Sequence, residues 1–364
     1  MRIAYLINSM EGGGAQSPLP QIIGSLRQAG AEVRVFALTR RNGLAIPRLL
    51  ERGIEPVVRE GGEKDHPAAL RWITQQVHDW RADVLWTSLT RATLLGQIAG
   101  QRFKLPVVSW QHNAFLKPWN ERILRWRAAA SDIWVADSAQ VADLTRNRLD
   151  IAAKDVVTWP IFAANPDAPQ SRSWTEGEML RIGSLGRLHP AKGYDILIAA
   201  LAQLQSTGFE PAAKFQITIG GIGKDEAQLK SQAAAAGLDT IRFAGFVEDP
   251  AAFLADQHLY LQPSRREGFC IAAHEAMQAG LPVIVSQTGE MPFTVDDPAI
   301  GLAVPVGNVP ALAEALGQML SQPLILKDMG HRARERVLEK FSQSHFDEIG
   351  AALVGRIRHI LAER

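Results

Sequence analysis

The chain has 364 residues, 46% apolar and 21% charged, with 39 Lys+Arg against 38 Asp+Glu. Single hydrophobic cores stop growing near ~250–300 residues, so two domains are expected. No run of about 18 apolar residues occurs, which excludes a spanning helix; Cys270 is the only cysteine, which excludes an intrachain disulfide and fits a reducing compartment.

Residues 3–7 read as a first strand, because the apolar run at the N-terminus is too short for a secretion signal. A turn at Glu11-Gly12-Gly13-Gly14 and a helix ending near Gly30 follow. Strands are predicted at 33–38, 54–58, 84–87, 107–110 and 133–136, with helices around 67–80, 90–100, 119–130 and 138–148. This alternation predicts a parallel sheet covered on both faces. Residues 1–165 carry 21 Lys+Arg against 15 Asp+Glu and eight of the nine tryptophans, whereas residues 166–364 carry 18 against 23. A basic, Trp-rich half points to an anionic partner or membrane surface, or simply to core packing by Trp.

The stretch 163–177, with Asn165-Pro166-Asp167-Ala168-Pro169, has linker composition. A second series begins at strand 180–185 and continues with strands at 215–219, 241–243, 259–261 and 283–285. Helices fit 192–206, 225–236, 249–255, 271–279 and 308–320. A last helix, 342–362, aligns Phe346, Ile349, Leu353, Ile357 and Ile360 in one apolar stripe, to be buried on either domain.

Two segments carry chemistry. In Glu267-Gly268-Phe269-Cys270-Ile271-Ala272-Ala273-His274-Glu275, a loop turns into a helix that Gly280 and Pro282 terminate. Backbone N–H groups at such a helix start favour a phosphate, and carboxylates accept hydrogen bonds from sugar hydroxyls. Together they suggest a nucleotide sugar. Gly186-Arg187-Leu188-His189-Pro190-Ala191-Lys192-Gly193 follows a strand, where open α/β sheets bind ligands, and offers two cations for phosphate oxygens.

Gly186-Arg187, Lys192-Gly193, Gly245-Phe246-Val247, Pro263-Ser264, Glu267-Gly268-Phe269, Glu275-Ala276-Met277, Ala279-Gly280-Leu281-Pro282 and Phe341-Ser342 occur in the order found in family 4 of the retaining glycosyltransferases, which the chain resembles over nearly its whole length. The resemblance implies an α/β GT-B fold: two Rossmann-like, doubly wound domains facing a cleft. The acceptor domain would be 1–165 with a crossover helix at about 345–364, and the donor domain 166–344. It implies that Arg187 and Lys192 neutralise the diphosphate where other enzymes use a divalent ion, so neither metal nor cofactor is expected. It further implies that Glu275 binds the ribose hydroxyls and that Glu267 lies by the 3- and 4-hydroxyls of the donor sugar. Glu267 would either stabilise an oxocarbenium-like charge or orient the ring. Gly186, Phe246, Gly268 and the backbone of Phe269, Cys270 and Ile271 fall on the donor side. Gly13 and Gly14 would approach the donor phosphates, and His112 the sugar's 6-hydroxyl. Ser138 either lines the acceptor side or caps a helix. Cys270 has no acidifying partner and reads as packing rather than nucleophile.

Three positions depart from the family pattern. Gln16 stands where an acidic residue is usual, Gly220-Gly221-Ile222-Gly223 lacks the usual Asp, and Thr288-Gly289-Glu290-Met291-Pro292 departs from Gly-Gly-x-x-Glu. The expected activity is retaining transfer of a hexose, preferably from a UDP-sugar with GDP-mannose close behind, to a glycan or lipid-linked acceptor in bacterial surface polysaccharide or glycolipid assembly. The alternative is a sugar-nucleotide-binding protein without turnover. A dinucleotide oxidoreductase would need a spaced Gly-x-Gly-x-x-Gly, which Gly12-Gly13-Gly14 does not supply. No nucleic-acid partner is expected. The expected location is cytoplasmic, peripheral at the inner membrane face if Lys117 to Arg127, with Trp119, Ile123 and Trp126 on one helical face, meets an anionic leaflet. The same segment also reads as an ordinary amphipathic helix packed on the sheet.

Overall fold

The computed structural model describes residues 1–112 and 116–364. The chain divides into two compact units, Met1–Ala163 with Gln343–Arg364 and Ala164–Ser342.

Unit 1 holds strands β1 (Arg2–Ile7), β2 (Glu32–Ala37), β3 (Val57–Val58), β4 (Val84–Ser88), β5 (Val107–Gln111), β6 (Ile133–Ala136) and β7 (Val156–Thr158), all parallel, in the order β3-β2-β1-β4-β5-β6-β7. Its first helices are α1 (Leu19–Gln28), α2 (Ile46–Glu51), α3 (His66–Trp80), α4 (Thr90–Phe103), α5 (Pro118–Trp126) and α6 (Ala139–Leu149). Unit 2 holds β8 (Leu180–Leu185), β9 (Phe215–Gly220), β10 (Ile241–Gly245), β11 (Leu259–Gln262), β12 (Val283–Ser286) and β13 (Gly301–Val304), in the order β10-β9-β8-β11-β12-β13. Its helices are α7 (Tyr194–Ser206), α8 (Glu226–Ala235), α9 (Pro250–Ala255), α10 (Ile271–Gln278), α11 (Met291–Thr294), α12 (Val309–Ser321) and α13 (Leu326–Lys340). The last helix, α14 (Gln343–Ala362), belongs to unit 1.

Each sheet reverses its strand order once, at β1/β4 and at β8/β11. The carboxyl ends of strands at such a reversal leave a crevice where open α/β sheets take ligands. In unit 1, Ala4, Leu6, Phe36, Leu85 and Val107 face Ile73, Val77 and Leu95 of α3 and α4. On the unit's other aromatic cluster, Tyr5, Trp86, Trp110 and Trp159 lie ring to ring and reach Phe346 of α14, with Trp159 and Phe346 centroids 4.9 Å apart. Much of the Trp excess is therefore core. α14 crosses close to α1: a Cβ on Gly350 would stand 2.3 Å from Ser25 Oγ. Unit 2 builds its core from Ile182, Leu197, Leu201, Ile217, Leu261 and Leu316.

Several elements differ from expectation. The strand over 54–58 shrinks to two residues, and the helix over 119–130 stops at Trp126 before a 3-10 turn, Ala128–Ala130. β7, β13, α2, α11 and α13 were not expected from periodicity. Ile123 is half-buried above the buried Leu124, so α5 does not present Trp119, Ile123 and Trp126 as one equivalent exposed row.

Candidate functional site

At the unit 2 reversal, the loops after β8 and β11 meet backbone to backbone. Gly193 has φ +68°, and a Cβ there would stand 2.0 Å from Pro263 O, so both the conformation and the contact require glycine. Arg265 N–H donates to Ala191 O at 2.8 Å, while its guanidinium donates to Pro190 O at 2.9 Å and grips both Asp195 oxygens at 2.6 Å. This stitching brings Lys192 Nζ to 2.7 Å from Glu267 Oε1, across 75 residues of sequence.

The same oxygen accepts Ser264 Oγ at 2.6 Å and Gln262 Nε2 at 3.3 Å. Tyr260 OH donates to Gln262 Oε1 at 2.8 Å, which fixes the amide so that its NH2 faces the carboxylate. Glu267 N–H donates to Thr288 Oγ1 at 3.2 Å, and Gly289, at φ +66°, lies against Gly268 O. Three donors thus converge on Oε1. Glu267 is 9% exposed and Lys192 22%. Burial alone would lower the Lys192 pKa, but the Glu267 carboxylate outweighs it and holds the ammonium above its ordinary range. Burial pushes the Cys270 thiol well up, and Glu267 adds to that, so Cys270 is no thiolate nucleophile.

Cys270 (φ 76°) begins α10, and no side chain caps this helix start. His274 braces the turn from behind. It stacks on Phe269 at 4.1 Å, meets Phe341 edge-on, and bonds Cys270 O and Thr294 Oγ1 through its two ring nitrogens. Burial draws its pKa down to about 3, so it is neutral and structural. Ile271 and Glu275 are half-buried, one turn apart on one helical face. Arg187 is exposed on the Lys192 loop. Beside it, Gly221 and Gly223 approach Gly186 O and Leu188 O so closely that a Cβ would stand 2.0 and 2.1 Å away. Ile222, in the turn that lacks the usual Asp, and Phe246 are both more than half exposed on neighbouring loops.

In unit 1, His112 follows β5. Its Nδ1 is 3.0 Å from Asp137 Oδ1 and its Nε2 is 2.6 Å from Ser88 Oγ, so both ring nitrogens are engaged within the unit. Ser138 caps α6 by accepting Val141 N–H. Gly13 and Gly14 lie in the turn after β1, and a Cβ on Gly14 would meet nothing within 4 Å, so no contact inside the unit demands glycine there. Gln16 is buried and donates to Ser9 O at 3.0 Å, a loop brace rather than a site group. Glu290 pairs with Lys340 at 2.9 Å. Trp119 and Trp126 on α5 are 68% and 81% exposed.

The structure therefore joins Lys192, Glu267 and Cys270 in one cluster and places Arg187, Gly186, Gly268, Phe269, Ile271 and Glu275 on its loops and helix. Tyr260, Gln262, Ser264 and Thr288 were not anticipated. Tyr260, Gln262 and Ser264 form a local relay to Glu267, and Thr288 reaches it from the loop after β12; the sequence singled out only Ser264 and Thr288, each within a string and without a role.

A family profile described as "Glycosyl transferases group 1" matches residues 170–336, and one described as "Glycosyltransferase Family 4" matches residues 12–162. The chain is 29% identical over 343 residues to a phosphatidyl-myo-inositol mannosyltransferase of Mycobacterium leprae, covering 86% of this chain and 85% of that protein. It is 34% identical over 165 residues to a GDP-mannose-dependent monoacylated alpha-(1-6)-phosphatidylinositol monomannoside mannosyltransferase of Corynebacterium glutamicum, 43% of this chain and 42% of that one. In fold it is similar to Anabaena HepE solved with UDP and glucose: TM-score 0.84, 19% identity, 97% of this chain and 99% of that chain.

Proposed function

The chain belongs to glycosyltransferase family 4 and has its GT-B fold, and from that premise we propose that it transfers a hexose from a nucleoside diphosphate donor to a hydroxyl of a glycan or lipid-linked acceptor, with retention and without a metal. The observation that carries this reading is the Lys192–Glu267 pair at the β8/β11 reversal. Lys192 and Arg187 supply fixed positive charge for the departing diphosphate. The uncapped start of α10 offers N–H groups to phosphate oxygens, and Glu275 takes the ribose hydroxyls.

With its three donors on Oε1, Glu267 is a poor nucleophile, and we assign its other oxygen to hydroxyls of the sugar ring. Transfer is then front-face. The bond between the anomeric carbon and the bridging phosphate oxygen breaks, its electron pair leaving with the diphosphate, as the acceptor oxygen bonds to the same face, and the acceptor proton passes to a departing phosphate oxygen. His112 holds a further sugar hydroxyl. UDP-hexose is the preferred donor. GDP-mannose is the second reading, favoured by the mannosyltransferase activities named for the relatives.

No helix among the described residues is long and apolar enough to cross a membrane. We propose a peripheral site on an anionic leaflet, because α5 exposes Trp119 and Trp126 beside Lys117, Arg122 and Arg125. The direct test is proton NMR of the product formed from each donor. A product with the donor's anomeric configuration is expected; an inverted anomer, or hydrolysis alone with every acceptor class, overturns the proposal.

A further inference from the structure

Ser88, His112 and Asp137 stand at the carboxyl ends of three neighbouring strands, β4, β5 and β6. His112 Nδ1 faces both Asp137 oxygens, at 3.0 and 3.2 Å, and Nε2 faces Ser88 Oγ at 2.6 Å. Asp137 also accepts the Trp110 indole N–H at 2.6 Å, and the Trp110 ring stacks on the imidazole at 5.4 Å and 20°. A carboxylate has no proton to donate, so Nδ1 carries a hydrogen, and a neutral ring then accepts the Ser88 hydroxyl at Nε2. Ser88 is wholly buried and the His112 side chain is 6% exposed, so a substrate hydroxyl reaches Nε2 only when the Ser88 hydroxyl turns away. The Tyr5 hydroxyl is buried and lies beside Ser88, the one side chain there, among the described residues, that can exchange a hydrogen bond with it.

We propose that Asp137 is a positioning residue that locks His112 in the Nδ1–H tautomer, and that Ser88 is a placeholder whose hydroxyl occupies Nε2 until a sugar hydroxyl replaces it. The inference rests on the glycosyltransferase reading, since a polyol is the substrate class whose O–H matches the one it displaces. One O–H···N bond is exchanged for another, and the released Ser88 hydroxyl turns to Tyr5, so no buried polar group is stranded. With the opposite tautomer, Nε2 would be a donor and Nδ1 would set a lone pair against the Asp137 oxygens.

The test compares Asp137→Asn, Ser88→Ala and His112→Ala in steady-state transfer, with 15N NMR of labelled imidazoles in the donor-free protein. Asn keeps an oxygen for the Trp110 N–H and offers an amide N–H to Nδ1, so the tautomer reverses while the fold is kept. Expected are the Nδ1–H signature in wild type, its reversal in Asp137→Asn with kcat/KM down roughly 100-fold, and a KM lowered about two- to fivefold in Ser88→Ala as the competing hydroxyl is removed. Wild-type kcat/KM in a tautomer-reversed Asp137→Asn, or a loss in Ser88→Ala as large as in His112→Ala, overturns the inference while the transferase reading stands. A wild type that binds no sugar nucleotide overturns both.

Discussion

Lys192→Ala removes the cation 2.7 Å from Glu267 Oε1. Two unit charges at that distance attract by about 6 kcal/mol at an effective dielectric near ~20, and desolvation of both ions offsets most of this. Ser264 and Gln262 still hold Oε1, and water can enter where Lys192 is already 22% exposed. The net stability loss is expected to be about 1–3 kcal/mol, which lowers Tm by about 2–4 °C per kcal/mol for a unit of this size. The catalytic loss is separate. A fixed charge on the developing anion is worth about 10²–10³ in kcat, or about 2.7–4 kcal/mol. Nucleoside diphosphate release measured alongside thermal melts distinguishes the two effects. A folded Lys192→Ala that turns over within about threefold of wild type refutes the assignment of Lys192 to the leaving group.

Four further outcomes are expected. Gly193→Ala, which forces a side chain into φ +68° and against Pro263 O, should cost more than about 2 kcal/mol and lose activity with it; a melt unchanged from wild type contradicts the loop contact. His258 and His274 have pKa values drawn down to about 4 and about 3, chiefly by burial. Both are neutral in the fold, whereas the unfolded chain protonates them near ~6.5. Stability should therefore be full above that pH and fall by about 2.7 kcal/mol per unit as pH drops toward ~4; urea melts that are flat from pH 7.5 to 5 count against it. Trp119→Ala with Trp126→Ala should abolish sedimentation with anionic vesicles while leaving transfer to a soluble acceptor in place; equal sedimentation refutes the anchor. Excess EDTA should leave the transfer rate unchanged, and a rate restored only by a divalent ion would contradict leaving-group stabilisation by Arg187 and Lys192 alone.

Most strands that periodicity revealed lie inside their sheets, although the edge strands β3 and β10 were read as well. After Arg2, β1 is a continuous apolar run, as is most of β12, and such runs occur mainly in covered parallel sheets. β7 and β13, of three and four residues, are too short and too partly exposed to give such a run. α13 escaped because charge dominates its composition, although Leu326, Met329, Ala333 and Val337 keep helical spacing. Among the candidate site residues, Arg187, Lys192, Glu267 and Glu275 could be named from sequence because each falls in a recognisable string, the first three on or beside loops and Glu275 within α10. Their arrangement was not legible. The Lys192–Glu267 contact depends on which strand follows β8 in the sheet, and β11 is its neighbour although two other strands intervene in sequence. The same holds for Asp137 and Ser88, which meet His112 only because β4, β5 and β6 lie side by side. Gln16 and Glu290, two departures from the family pattern, are bound to Ser9 O and Lys340, which gives them structural work apart from substrate.

The central claim, that the β8/β11 reversal of unit 2 grips a sugar nucleotide through Lys192, is tested most directly by thermal stabilisation of wild type and Lys192→Ala against UDP-, GDP- and ADP-sugars. A donor held at ~100 times its dissociation constant should add about 2.7 kcal/mol to the wild type and markedly less to the variant. No stabilisation by any of the nucleotide sugars, or equal stabilisation of both proteins, would contradict it.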